Sequence, residues 1–430
     1  MSNTVFNNHP LINNSNQYFL EKKFLSVHSE DRDITKYPNS SEFEISLPQE
    51  YLNVASARLY SWTFPANYNV FSKIMHNVTM SYKFTNLYNP GEHSFNDPLT
   101  EGIFAALYSH KNNVFEFEIE SGFYNPDQMA TELTNKLNVS VTRFINLFFN
   151  EPANAITYAT AKSLFLHYDR FKVVYNTVGQ KLWFGNNADQ FILTNGSNIF
   201  NTVIVDASCV RKNMIPEWSN WGLPYYLGFT KCNTQSYDYQ EYLQAFPNDL
   251  YIYTSVEFNV PRFYYGDAEP GKSDNGYWLL PVLPGALVYF LQAPFKINFM
   301  GPSYMYMEVD GMNCIDETSP WNLSNYTIHN NQTNGIVNSS FAKIAVPTTP
   351  ISQWFDSDSQ AYKYWNPPAE RIGKLKFKLR YHNGAILQFG QFEYSFMLEF
   401  NILKPQIERS YSIVDSRGLS QVQSFGSKFV

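Results

Sequence analysis

The stretch PPAERIGKLKFKLRYHNGAILQFGQFEYSFMLEF, residues 367–400, decides how the rest of the chain is read. It holds two strictly alternating runs. In the first, Leu375, Phe377, Leu379 and Tyr381 take one phase while Lys374, Lys376, Lys378 and Arg380 take the other. In the second, Tyr394, Phe396, Leu398 and Phe400 alternate with Glu393, Ser395, Met397 and Glu399. A period of two with an apolar and a polar phase is that of a half-buried strand. Asn383-Gly384 lies between the runs, and that dipeptide accepts the positive φ a tight hairpin turn requires. The expectation is a hairpin closing a large antiparallel sandwich, with the basic row of the first strand beside Glu393 and Glu399 of the second.

Outward from this stretch the same alternation recurs. Residues 24–28 open a first strand, and Asp31-Arg32-Asp33 reads as a turn held by Asx hydrogen bonds and an ion pair. Phe43, Ile45 and Leu47 face inward on a second strand that Pro48 stops. Further strands read at 54–64, 78–85 and 114–120, the last with an acidic outer row of Glu116, Glu118 and Glu120. That row complements Lys374, Lys376, Lys378 and Arg380, so the two parts of the chain are expected to share one sheet as a charge ladder. The expected core holds Phe43, Ile45, Phe117, Ile119, Leu375, Phe377, Phe396 and Leu398.

One helix is clear: Asn125 caps it, Pro126 takes the first position, and Met129, Leu133 and Leu137 form its buried stripe. Residues 141–149 read as either helix or strand. A hairpin is expected around Val178-Gly179, and LPYYLGF at 223–229 plants aromatic rings in the core. Strands also read at 251–258, 304–309 and 341–346. Residues 351–368 form an aromatic excursion whose Trp354, Phe355, Tyr362, Tyr364 and Trp365 are candidate partner contacts.

Many short strands and few helices place the chain in the mainly β class, as an antiparallel jelly-roll β-sandwich with long loop insertions and one or two short helices. Two tandem jelly rolls are the alternative. The expected organisation is a flexible N-terminal arm over 1–20, one jelly-roll domain over 21–403 with insertions around 139–222 and 259–300, and a C-terminal tail over 404–430.

Composition narrows the function. Of 430 residues, 44% are hydrophobic and only 16% charged, enough for an ample core and against wholesale disorder. Aromatic residues at 17%, with 36 Phe and 31 Tyr, favour strands and suit a surface covered by partners. A net charge of −7 with no Lys/Arg block disfavours direct nucleic-acid binding. Cys209, Cys232 and Cys314 are odd in number and far apart, which signals neither a disulfide framework nor a zinc knuckle. The polar N-terminal stretch has no apolar h-region, so no secretory signal is expected, and the sequon at Asn77 carries little weight. No apolar run approaches the ~18 residues that span a bilayer.

A search for chemistry is mostly negative. No two of the eight histidines stand at metal-ligand spacing, and no GxSxG, P-loop or HExxH occurs. The Gly266–Gly271 segment lacks the alternating acidic ligands of a calcium loop. Paired carboxylates at Asp31/Asp33, at Glu116/Glu118/Glu120, at Asp310 and at Asp316/Glu317 read as turn and strand-face residues rather than a glycosidase pair. No enzyme, cofactor or metal is expected.

Several stretches carry a resemblance. They are FLSVHSEDRDITKYPNSSEFEISLP at 24–48, SGFYNPDQMATELTNKLN at 121–138, LGF at 227–229, YMYMEVDGMNCIDETSP at 304–320, FAKIAVP at 341–347, PPAERIGKLKFKLRYHNG at 367–384 and FEYSFMLEF at 392–400. In this order they resemble the minor capsid proteins of large icosahedral (nucleocytoplasmic) DNA viruses, of the phycodnavirus and giant-virus type. The resemblance implies a non-enzymatic jelly-roll protein of the virion, distinct from the major capsid protein. It would be assembled in the host cytoplasm, cement major-capsid capsomers and link the shell to the inner membrane layer. Implied partners are the capsomers, other minor capsid proteins, inner-membrane-associated virion proteins and further copies of the chain. Two alternatives stand beside it: a penton protein at the five-fold vertices, and a carbohydrate-binding host-attachment protein using exposed Trp and Tyr.

Overall fold

The computed structural model describes residues 18–65, 69–89, 97–194, 222–247, 253–254, 261–262, 278–281, 286–318, 338–346, 353–356, 360–382 and 384–405. Most of the expected arm and tail, the 266–271 loop, most of the 251–258 strand and Asn383 lie outside the described residues. Where the sequence led us to expect one domain, the chain divides into two compact units. Unit one takes Met1–Tyr68, Pro302–Ser324 and Asn330–Val430; unit two takes Asn69–Gly301 and Asn325–His329.

Unit one begins with β1 (Tyr18–His28) and β2 (Glu42–Pro65). Unit two follows with β3 (Thr79–Asn86), α1 (Pro98–Ser109), β4 (Phe115–Glu118), α2 (Pro126–Asn150), α3 (Pro152–Thr157) and α4 (Ala159–Leu164). It continues with β5 (Phe171–Asn176), β6 (Lys181–Asn186), β7 (Gln190–Thr194), α5 (Leu223–Tyr226), β8 (Thr234–Gln235) and α6 (Tyr239–Ala245). The short β9 (Tyr253–Thr254) and β10 (Pro261–Arg262) precede β11 (Tyr289–Gln292). The chain returns to unit one with β12 (Tyr304–Val309), β13 (Ile315–Glu317), β14 (Asn338–Ser340) and β15 (Ala342–Ala345). It ends with β16 (Gln353–Asp356), β17 (Lys363–Arg380) and β18 (Ser395–Pro405).

Unit one is organised around β2. Its main sheet is antiparallel in the order β1-β18-β2-β17-β12-β15, and β16 pairs with β2 beyond the start of β17. The expected hairpin of β17 with β18 is therefore corrected, because the two strands lie on opposite edges of β2. A turn does form after β17, with Gly384 at φ +86 and the Gly384 amide bonded to the Tyr381 carbonyl, but the returning chain crosses to the far edge of β2. Charge explains the choice. Lys376 and Lys378 stand opposite Glu44 and Glu42 of β2, and Lys378 stands opposite Glu308 of β12. The outward phase of β18 could have offered β17 only Glu399, beside Ser395 and Met397.

Pro48 does not end a strand. It lies where β2 runs six residues, Ser46 to Tyr51, against three of β17, Lys374 to Ile372. A bulge of this kind leaves the missing proline N–H without a ladder partner to lose.

The core side of this sheet is aromatic. Phe43 lies 5.4 Å from Phe377, Phe377 4.9 Å from Phe396, and Phe64 4.9 Å from Tyr394, ring centre to ring centre. The Tyr394 hydroxyl donates to the Ser40 carbonyl at 2.6 Å. Each such ring stabilises the fold by roughly 2–3 kcal/mol through burial before chain entropy is counted. Leu375, Phe377, Phe396 and Leu398 are buried as expected, whereas Ile45 is only half-buried. Phe117 and Ile119 are buried too, in unit two rather than with Phe43.

In unit two, α2 runs thirteen residues past the expected stripe, because Val141, Ile145 and Phe149 extend the four-residue spacing of Met129, Leu133 and Leu137. Its capping box is complete: the Gln128 amide donates to Asn125 Oδ1 and the Asn125 amide to Gln128 Oε1. The helix also finishes a sheet edge. Asn138 Nδ2 donates to the Phe171 carbonyl and the Phe171 amide to Asn138 Oδ1, both at 2.9 Å, and the Val173 amide donates to Thr134 Oγ1. These side chains stand in for a missing strand beside β5. The hairpin of β5 and β6 is present as expected. Gly228 has φ +89, and a Cβ there would strike the Phe295 carbonyl, which explains a glycine between the buried Leu227 and Phe229.

Candidate functional site

The side of unit one's main sheet away from its aromatic core carries its own cross-strand rows. The register sets Phe24 of β1 beside Glu399 of β18, and Glu399 beside Arg58 of β2. One row further, Lys22 is beside Asn401, Asn401 beside Ser56, and Ser56 beside Tyr364 of β17. Tyr362, just ahead of β17, shares the outward phase of Tyr364. Period-two alternation on four strands thus gathers residues that are far apart in sequence.

Glu399 anchors the group. Its side chain has no exposed surface, and its carboxylate accepts from Arg58 Nη2 at 2.8 Å, Arg58 Nε at 3.0 Å, Lys22 Nζ at 3.1 Å and the Tyr362 hydroxyl at 3.2 Å. Burial alone pushes the carboxyl up, but the hydrogen bonds from Arg58 and Lys22 outweigh it and hold it below the ordinary carboxylate value. The Tyr362 hydroxyl is pushed up by burial and by the Glu399 charge.

Held in this way, the Arg58 guanidinium sits 5.5 Å from the Tyr60 ring centre and 4.7 Å from that of Tyr362. Phe24 meets Tyr60 edge-on at 5.0 Å, and Tyr362 lies 5.7 Å from Tyr364. Phe24, Tyr60, Arg58, Tyr362 and Tyr364 form an unbroken ladder across the strands, each step a ring pair or a cation over a ring. Tyr364 is 70% exposed, Phe24 49% and Tyr60 39%. The carboxylate's acceptor positions are committed to three side chains, which leaves ring faces and ammonium as what the surface offers.

Of the expected partner contacts, Tyr362 and Tyr364 belong to this ladder, and Trp365 is half-buried on β17. Trp354 and Phe355 lie in β16, opposite Phe64 and Thr63 of β2, and their side chains lie outside the described residues. Lys22, Phe24, Arg58 and Tyr60 were not anticipated, although the alternation of Ser56, Arg58 and Tyr60 shows in the sequence.

The expected charge ladder is corrected residue by residue. Lys374 pairs with Glu44 at 3.8 Å, Lys376 with Glu42 at 3.5 Å and Lys378 with Glu308 at 3.7 Å. Arg380 is buried, bonded to Glu308 and to Glu317 (2.5 Å from Nη2), with the Tyr306 ring 5.4 Å away. Burial disfavours its charge, but the bonds to Glu317 and Glu308 raise its pKa. Glu393 pairs with Arg32, not with the basic row; burial pushes its carboxyl up, and bonds from Arg32 and Ser29 bring it below the ordinary value. In unit two, Glu116 and Glu118 lie on β4, where Glu118 pairs with Lys73 at 2.7 Å, and the Glu120 carbonyl accepts from the Tyr124 hydroxyl. The Asp33 carboxylate makes the expected Asx turn with Thr35 and Lys36.

In unit two, Asp189 lies in a buried ionic cluster. Asp189 Oδ2 accepts from Arg170 Nη1 and the Tyr168 hydroxyl, both at 3.0 Å, and Oδ1 accepts from the Tyr88 amide at 2.9 Å. Asn186 Nδ2 donates to the Tyr168 oxygen at 2.9 Å. Among the described residues no group of His, Cys, Asp or Glu is placed to hold a metal ion. The Asn77 sequon is closed, since its buried side chain bonds the Val70 carbonyl and the Ser72 amide.

No family model matches the sequence, and no curated protein matches it. Among solved structures, the chain is similar to the mavirus penton protein, solved as a selenomethionine-labelled crystal. The identity is 8%, over 89% of this chain and 99% of that one, with a TM-score of 0.36.

Proposed function

We propose that this chain is a structural virion protein. In this reading it is a minor capsid component that cements neighbouring major-capsid capsomers and links the shell to the inner membrane layer. The observation that carries the reading is the exposed ladder of Phe24, Tyr60, Arg58, Tyr362 and Tyr364, fixed from beneath by Glu399. Aromatic and arginine side chains held rigid at a surface have the composition of protein-interface cores, and their rigidity lowers the entropy lost on contact. The stretches that carry the capsid resemblance coincide with framework elements: β1 and the start of β2, the cap of α2, Gly228, β12 with its following turn, and β17 with β18.

Quantitative mass spectrometry of purified virions tests this. The expected result is that the protein is present in many copies per particle, and its absence from particles would overturn the reading. A copy number limited to the vertices would replace it with the penton reading. Glycan-array binding by the isolated protein would replace it with the host-attachment reading.

A further inference from the structure

We infer that the aromatic ladder is a docking site for an acidic segment of another protein. This inference rests on reading the ladder as a contact face and not on the virion assignment. The argument is a local imbalance of charge. Along β17 on the same side of the sheet cations and carboxylates are matched, Lys374 with Glu44, Lys376 with Glu42, and Lys378 and Arg380 with Glu308 and Glu317. At the ladder two cations, Arg58 and Lys22, share the single carboxylate of Glu399. That carboxylate is wholly covered while the Lys22 side chain is 60% exposed, so an approaching partner meets an ammonium and ring faces with no accessible anion among the ladder residues. A partner carboxylate gains a second ligand for Lys22 without displacing a competitor.

The rings define the rest of the partner. They run across the strands, so recognition uses side-chain stacking instead of the backbone pairing that extends a sheet edge. Proline or aromatic side chains between the acids would lie on Tyr364, Tyr60 and Phe24. An extended proline-bearing backbone also loses little freedom on docking.

The test uses the full chain and a fluorescein-labelled peptide of repeated Glu-Pro-Tyr triplets, with fluorescence anisotropy as the readout. Its counterpart carries Lys in place of every Glu. The acidic peptide is expected to bind saturably and at least tenfold tighter than the lysine peptide, with the difference shrinking as salt rises. Lys22→Glu should reverse the preference. Tyr364→Ala, at an exposed position, should weaken the acidic peptide about tenfold while leaving the melting curve unchanged. Absence of acidic-peptide binding, equal binding of the two peptides, or unaltered binding by a Tyr60→Ala/Tyr364→Ala double variant would each overturn the inference. So would preferential binding to neutral glycans or to phosphatidylserine vesicles in the same assay. Virion proteomics reads the capsid assignment separately, so the two can fail independently.

Discussion

Asp189 and Glu399 are both removed from water by ionic partners, and they are used differently. In unit two, Asp189 faces one cation, Arg170, and its remaining bonds come from Tyr168 and a backbone amide. Every partner points inward and the charges balance. In unit one, Glu399 faces two cations, and the groups covering it continue upward into rings that water reaches. The first cluster closes a core, and the second stiffens a surface. Burial of the anion is common to both, so burial alone does not distinguish a structural network from a site; the balance of charge and the exposure of the covering side chains do.

The comparison predicts a graded response to substitution. Asp189→Asn should be the most damaging, because it leaves the Arg170 guanidinium, only 9% exposed, without a counter-charge. A loss of about 3–5 kcal/mol in urea unfolding is expected. Glu399→Gln should cost less, about 1–3 kcal/mol, since Lys22 reaches water and Arg58 keeps its ring contacts. A larger loss at Glu399 than at Asp189 would break the distinction.

Acidification probes the carboxylates of unit one. The folded pKa values of Glu399 and Glu393 lie below their unfolded ones. Their stabilisation is therefore complete above the ordinary carboxylate value and disappears as pH falls through the depressed folded values. Melting temperatures followed from about pH 7 to about pH 3 should fall, and Glu399→Gln should flatten part of that descent. An unchanged descent would mean that Glu399 does not report on folding.

The matched surface pairs should matter least. Lys376→Glu should cost less than ~1 kcal/mol, with partial recovery when Glu42 is reversed to Lys and none when Glu116 is. Recovery through Glu116 would restore the pairing that the sequence suggested and the structure replaces.

How far the sequence could be read follows from what local patterns encode. Alternation identified the faces of β17 and β18 because one-sided burial imposes a period of two on a strand, whatever its neighbour. It did not identify neighbours. Lys376 could as well have faced Glu116 or Glu399 as Glu42, and only the register on β2 decides. The Asn125 cap and the four-residue stripe of α2 were legible because both are contained in one segment, while Pro48 misled because a bulge at β2 removes its penalty. The ladder was half legible. Tyr362 and Tyr364 showed as an aromatic cluster, but Phe24, Arg58 and Glu399 join them only through pairing across more than 300 residues of chain.

A cryo-electron-microscopy map of the virion would test the central claim most directly. The account predicts that the chain is found between capsomers, with the rings of Tyr364 and Phe24 covered by a neighbouring protein and an acidic side chain of that neighbour at Lys22. A map in which the chain is missing, or in which this face looks onto solvent while other surfaces make the contacts, would contradict it.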